Sequence, residues 1–290
     1  MKLHPIIPSI ACCCVLLFIN KSVQAQRLPE LGITSSLNND SIIHAAGFNY
    51  IGLPVGSTIG PSVSEQQFLQ NVRNIKQAKT KVFMCNVLFP GSIKIAGPQV
   101  NEARVLGYLD SVLIRAKTAG IKNLILGSGG ARKLPAGYDK QLATNDFVPL
   151  ARKMAILAKK YRIRIILENL NSTETNFLTT LKEASAVVRR VNHPNLRLNA
   201  DIYHMMMEKE SPQEIINSGK FIVYSEVAEK EQRTLPGVMK EDFRAYLAAL
   251  KQIKFKGPII IEGRTDDFRK EVPQAFKYLT AQLKEVYTKN

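Results

Sequence analysis

From residue 31 onward the chain alternates between short apolar runs and longer stretches that carry one apolar stripe. The runs at 31–37, 48–55, 81–89, 123–126, 164–168, 196–203, 221–227 and 258–261 are rich in β-branched and other large apolar residues. They are too short for stable helices, so they predict strands. Between them, Phe68, Leu69, Val72 and Ile75 recur at helical spacing. So do Val105, Leu109, Val112 and Leu113 within 101–120, and Phe147, Leu150, Met154 and Leu157 further on. The same spacing predicts helices over 177–191, through Phe243, Leu247, Leu250 and Ile253, and over 271–287. Asn39-Asp40 caps a first helix that ends at Gly47, and Ser211-Pro212 opens a brief one. A loop rich in Gly, Pro and Ser at 56–62 is long enough to lie over a pocket.

Eight strand–helix pairs in strict alternation call for parallel strands joined by helical crossovers. The expected fold is α/β, a (β/α)8 TIM barrel; an open doubly wound sheet is the alternative, because alternation alone does not show closure. No linker or low-complexity stretch divides 26–290, which reads as one domain.

The first 25 residues stand apart. Lys2, a mostly apolar stretch from Ile6 to Ile19, and Val23-Gln24-Ala25 form the basic, apolar and small-residue parts of a secretory signal peptide. Cleavage after Ala25 makes the protein exported, with the periplasm as its expected location. The apolar stretch is short and broken by Pro8 and Ser9, so no integral membrane segment is expected afterwards. A lipid anchor at Cys12 is a weaker alternative, since Ser9-Ile10-Ala11 is a poor lipobox. Cys12, Cys13 and Cys14 leave with the leader; Cys85 then stands alone, and the mature chain relies on its core rather than on a disulfide. The formal charge of +16 is spread along helices, as at Lys76, Lys79, Arg152, Lys153, Lys159 and Lys160, and there is no tryptophan. That is a solvated exterior rather than a stacking platform, so nucleic acid is not an expected partner.

Acids occur where the predicted strands end. Glu168 ends the fifth, Asp201 the sixth, Glu226 the seventh and Glu262 the eighth. In a barrel the C-terminal strand ends form the mouth, where neighbouring strands lie about 5 Å apart. Each acid alone is as consistent with an ordinary loop carboxylate. Four together would repel unless a cation sits among them, and an all-oxygen set suits Mn, Mg or Ca ahead of Zn. His204 follows Asp201 by three residues, placed to hydrogen-bond a substrate hydroxyl or carry a proton. Arg233 is the nearest arginine after the seventh strand, suited to a substrate oxygen or a developing enediolate. Gly127 to Gly130 lacks the residues of a phosphate loop and reads as a tight turn beside the substrate.

Several motifs together resemble the xylose isomerase-like sugar (phosphate) isomerase/epimerase family, whose members include ketose 3-epimerases and hydroxypyruvate isomerases. They are Glu168-Asn-Leu-Asn171-Ser-Thr-Glu174, Asp201-Ile-Tyr-His204, Glu229…Arg233-Thr-Leu-Pro236-Gly237, Ile261-Glu262 and Gly127-Ser-Gly-Gly-Ala-Arg132. The resemblance implies a divalent metal held by Glu, Asp, His and Glu at strand ends five to eight, with the two glutamates also moving the substrate proton. Carried onto this chain, Glu168 and Glu262 are ligands and the acid/base pair, and Asp201 is a ligand. His204, Arg233, Glu174 and Asn171 are then substrate-binding. The chain departs from the pattern once: Glu226 stands where the family has a histidine, with Glu229 matching the glutamate three residues later. Ligation by Glu226 in place of that histidine is the expectation.

The resulting expectation is a metal-dependent isomerase or epimerase acting on a small-molecule sugar or keto-sugar, with loops 57–62 and 89–97 setting specificity. A keto-glycoside lyase or hydrolase on the same residues, or a catalytically silent carbohydrate-binding barrel, are the alternatives. A homodimer is within the expectation. Apurinic endonucleases share this barrel, but they bring several histidines to a multi-metal site. Of the four here, only His204 lies at the mouth.

Overall fold

In the computed structural model, Met1 and residues 27–288 are described; residues 2–26, where the expected signal peptide, its cleavage site and the Cys12 anchor fall, lie outside the described residues. Eight strands form one closed parallel barrel in chain order. They are β1 (Leu31–Thr34), β2 (Tyr50–Pro54), β3 (Lys81–Asn86), β4 (Asn123–Leu126), β5 (Arg164–Glu168), β6 (Leu196–Asp201), β7 (Ile222–Val227) and β8 (Ile259–Ile261). Closure is made by β1 against β8, with Gly32 paired to Ile260 and Ile33 to Ile261. Helices Asp40–Ala46, Glu65–Gln77, Glu102–Ala119, Lys140–Lys160, Leu181–Val191, Gln213–Ser218 and Arg244–Gln252 carry the chain between strands, and Phe268–Thr288 completes the outer ring. Among the described residues no helix is long and apolar enough to cross a membrane.

Period-two alternation sorts each strand into a helix-facing and a barrel-facing set. Ile165 and Leu167, Leu198 and Ala200, and Ile259 and Ile261 pack outward into the large core under the helices. Met84, Ile125, Ile166, Tyr224 and Ile260 point inward and form a separate buried layer inside the barrel. Gly32 makes room for that layer, since a Cβ there would lie 2.3 Å from the Ile260 side chain. Two residues further along β5 and β7, and two beyond Ile260, the inward positions are Glu168, Glu226 and Glu262. The apolar plug is the floor on which the acids stand.

Several elements differ from expectation. The strand expected to Tyr203 ends at Asp201, where a helix, Ile202–Met207, begins. The loop expected over 56–62 opens in a helical turn, Val55–Thr58. The helix expected over 177–191 begins at Leu181, because Thr180 caps it and the Glu183 carboxylate takes the Thr179 N–H, holding 177–180 out of the helix. β3 stops at Asn86 instead of running to Phe89, because Val87 adopts a left-handed backbone with φ of 52°. Leu69, on the predicted inner stripe, is 44% exposed, while Phe68 and Val72 carry that helix's contact.

Candidate active site at the barrel mouth

Glu168, Asp201, Glu226 and Glu262 each offer a carboxylate oxygen, and these four atoms lie within 4.8 Å of one another. Glu168, Asp201 and Glu226 are buried, whereas the Glu262 side chain keeps 24% of its surface. Burial pushes the Glu168 carboxyl well above its usual range, and the charges of Glu226, Glu262 and Asp201 push it further. Glu226 is raised by the same causes, burial first and then Glu262 and Asp201. Asp201 and Glu262 are also raised by burial, but Arg233 opposes the shift in both.

Neutral and cationic donors hold the acids in place. Tyr224 O–H and Asn199 Nδ2 donate to the two oxygens of Glu226. Asn86 Nδ2 donates to Glu262 Oε1 at 2.6 Å. Arg233 donates through Nη2 to Glu262 Oε2 and through Nη1 to Glu174 Oε1 at 2.9 Å, and its guanidinium lies 4.6 Å over the Tyr203 ring. Gly127 supplies space for Glu168, since a Cβ there would sit 2.1 Å from Glu168 Oε2.

His204 is fully buried. Asn171 Oδ1 accepts from the Thr173 N–H, so the Asn171 amide nitrogen faces His204 Nδ1 at 2.8 Å, and that ring nitrogen must accept. Burial lowers the His204 pKa to about 3, so the ring is neutral and its proton sits on Nε2. Nε2 has no hydrogen-bond partner among the described residues and lies 3.5 Å from Asp201 Oδ2 and 3.9 Å from Glu168 Oε1. With Glu168 and Asp201 it forms a second group whose ligand atoms lie within 4.8 Å of one another, and with its proton on Nε2 the ring faces those acids as a donor.

Two further residues support the site. Arg132 is wholly buried and donates Nη1 to the Glu168 main-chain oxygen at 2.9 Å, while its Nε and Nη2 have no hydrogen-bond partner among the described residues. Burial lowers its pKa to about 10, against the pull of Glu168, Glu174 and Glu183. Glu229, also fully buried, gathers the loop that presents Arg233: its carboxylate accepts from the N–H groups of Gly237, Met239 and Glu241 and from the Thr234 hydroxyl. This clamp holds Gln232 and Arg233 in left-handed backbone, with φ of 56° and 54°.

A cavity of roughly 380 Å³ opens over these groups. Glu168, Glu262, His204, Arg233 and Glu174 line it; Asp201, Glu226 and Asn171 lie behind its wall. Asn171 therefore acts on the cavity through the His204 ring. The loops at 57–62 and 89–97 contribute nothing to the lining; Asn86 and Val87, where β3 ends, form that side instead. Asn86, Asn199, Tyr224 and Arg132 were not expected in the site. Arg132 lies in a quoted motif, yet nothing in the sequence separates it from a solvated loop arginine.

The donor set fits a hard divalent cation. Four crowded acids, three of them buried, share oxygens at ligand spacing, and a dication would relieve the repulsion that lifts their pKa values. Glu168, Asp201, Glu226 and Glu262 are the residues that would hold it.

Comparison with known proteins identifies the barrel's family. Residues 41–282 match the family model of the xylose isomerase-like TIM barrel. An L-ribulose 3-epimerase from Methylomonas sp. (strain DH-1) is 34% identical over 132 residues, 45% of this chain and 46% of that protein. A ketose 3-epimerase from Arthrobacter globiformis is 32% identical over 114 residues, 38% of each chain. The matches thus span less than half of either relative. The crystal structure of a 3-keto-D-glucoside 4-epimerase from E. coli superposes with a TM-score of 0.74 at 16% identity, covering 87% of this chain and 99% of that one, and shows the shared fold. Closed barrel, acidic mouth and family match converge: the chain belongs to the xylose isomerase-like TIM barrel family.

Proposed function

We propose that this protein is an exported, divalent-metal-dependent epimerase or isomerase of keto-sugars, with Glu168 and Glu262 as its acid/base pair. One observation carries the reading: of the four clustered acids, Glu168 and Glu262 alone reach the cavity wall. The metal, when bound, supplies Lewis-acid polarisation of the substrate carbonyl. One glutamate removes the proton from the carbon next to that carbonyl, and the C–H electron pair enters the C=C bond of an enediolate. The other glutamate returns a proton to the opposite face, inverting the carbon. Arg233, in contact with Glu262 and Glu174, is placed to steady the enediolate oxygen, and His204 Nε2 points a proton to the cluster's edge. The 3-epimerase relatives and the 3-keto-D-glucoside 4-epimerase of shared fold are consistent with this substrate class.

Incubation of the metal-loaded protein with D-psicose, L-ribulose or a 3-keto-glucoside in heavy water tests the proposal. The expected result is deuterium at one carbon beside the carbonyl, with the carbon skeleton intact. Release of a leaving group indicates the lyase or hydrolase instead, and metal-free sugar binding without exchange indicates a silent barrel.

Glu226 in place of the family histidine favours Mn, Mg or Ca over Zn, because it makes the donor set wholly oxygen. Glu226→His is expected to raise affinity for Zn relative to Mn by about tenfold, measured by competitive titration. An unchanged ratio would place Glu226 outside the coordination sphere.

A further inference from the structure

Val87 has the backbone of a glycine and the side chain of a strand. Its φ of 52° makes it the one β-branched residue in the left-handed region among the described residues, and it is 52% exposed. Such a residue there is a conformational outlier that persists only where its surroundings impose it. The turn explains the backbone: by reversing at Val87 the chain sends the Leu88 N–H to the Ile125 carbonyl and the Phe89 N–H to Ser128 Oγ, and it buries both side chains completely. It does not explain the side chain. Glycine would satisfy the same turn without strain, and an exposed isopropyl group contributes little to the core.

The cavity supplies the missing reason. Val87 lines it directly after Asn86, which holds Glu262. The rest of the lining is polar, charged or glycine, apart from Leu170, which is only 4% exposed. The Tyr203 ring is covered by the Arg233 guanidinium, and the chain has no tryptophan. A sugar presents hydroxyls on its edges and carbon–hydrogen groups on its faces, and those faces gain by leaving water against an apolar surface. We propose that Val87 is a substrate-contacting, specificity-determining residue, whose isopropyl group packs on the carbon–hydrogen face of the sugar and is kept there at the expense of backbone strain. This rests on reading the cavity as a sugar site.

Three variants of the full mature chain test it, with the keto-sugar that shows proton exchange as the probe. Val87→Gly is expected to raise Tm by about 2–4 °C, raise KM about tenfold and leave kcat within about twofold. Val87→Asn, which tolerates the left-handed backbone, should show the same rise in Tm and in KM. Val87→Ile, which keeps the branched apolar surface and the strain, should stay near the parent in both. A Tm that falls in the glycine variant, a KM that does not move, or a loss confined to kcat overturns the proposal, the last because it would make Val87 a support for Asn86 and Glu262 only. Absence of exchange by the parent protein in every keto-sugar overturns the functional reading and this inference with it. An active parent whose KM is indifferent to Val87→Gly overturns this inference alone.

Discussion

Glu168→Gln is expected to abolish stoichiometric metal binding and to cut proton exchange by about 10³-fold, while the metal-free protein becomes more heat-stable. The substitution is isosteric, so the close fit over Gly127 survives, and the Arg132 contact is kept because it goes to the main-chain oxygen. What changes is charge and basicity. Gln cannot take up the substrate proton and is a poorer ligand for a hard cation. It also removes one of four crowded acids whose repulsion and burial the metal-free fold must bear, so a rise in Tm of a few degrees follows. The two effects of opposite sign separate a functional carboxylate from a structural one: a residue serving the fold would lose stability and activity together. Elemental analysis, thermal melts and exchange by NMR read the three quantities. Retained metal with unchanged exchange would remove Glu168 from the chemistry.

Much of this site was legible in the sequence because strand periodicity is rigid. Once Ile166 and Ile260 are barrel-facing, Glu168 and Glu262, two residues on, must face the same way. β4 lies at 123–126 as expected, since Gly120 and Gly127 punctuate both sides of a short apolar run. What stayed hidden depends on closure. Asn86 and Glu262 are 176 residues apart and meet across the mouth, and no local pattern announces that pair. Tyr224 and Asn199 look like ordinary strand residues until the barrel turns them inward on Glu226. Glu229 matches a family position by spacing, yet the structure gives it the Arg233 loop to hold. The place of Val87 in the cavity lining was hidden because an apolar run through Phe89 reads as continuous strand, whereas the chain turns at Val87.

Metal and pH should act on stability through the same four acids. Glu168 and Glu226 have folded-state pKa values raised above the ordinary 4.5, so in the metal-free protein the native state binds more protons than the unfolded chain above that pH. Stability from these groups is full below 4.5 and is lost as pH rises through their raised values. His204 works the other way. Its pKa is lowered from 6.5 to about 3, so its contribution is full above 6.5 and is lost as pH falls below it. The two trends oppose each other between 4.5 and 6.5, and above 6.5 only the acids act. Chelator-treated protein is therefore expected to lose Tm as pH rises beyond 6.5 through the raised values of these acids. A divalent cation needs the ionised cluster, so it competes with those protons and binds more tightly as pH rises. Mn at about 100 times its Kd should add about 2.7 kcal/mol, or roughly 5–10 °C, with the larger gain at the alkaline end. Thermal melts with and without Mn across that range check the coupling. A gain that does not vary with pH would mean that the ion, if it binds, does so away from the buried carboxyls.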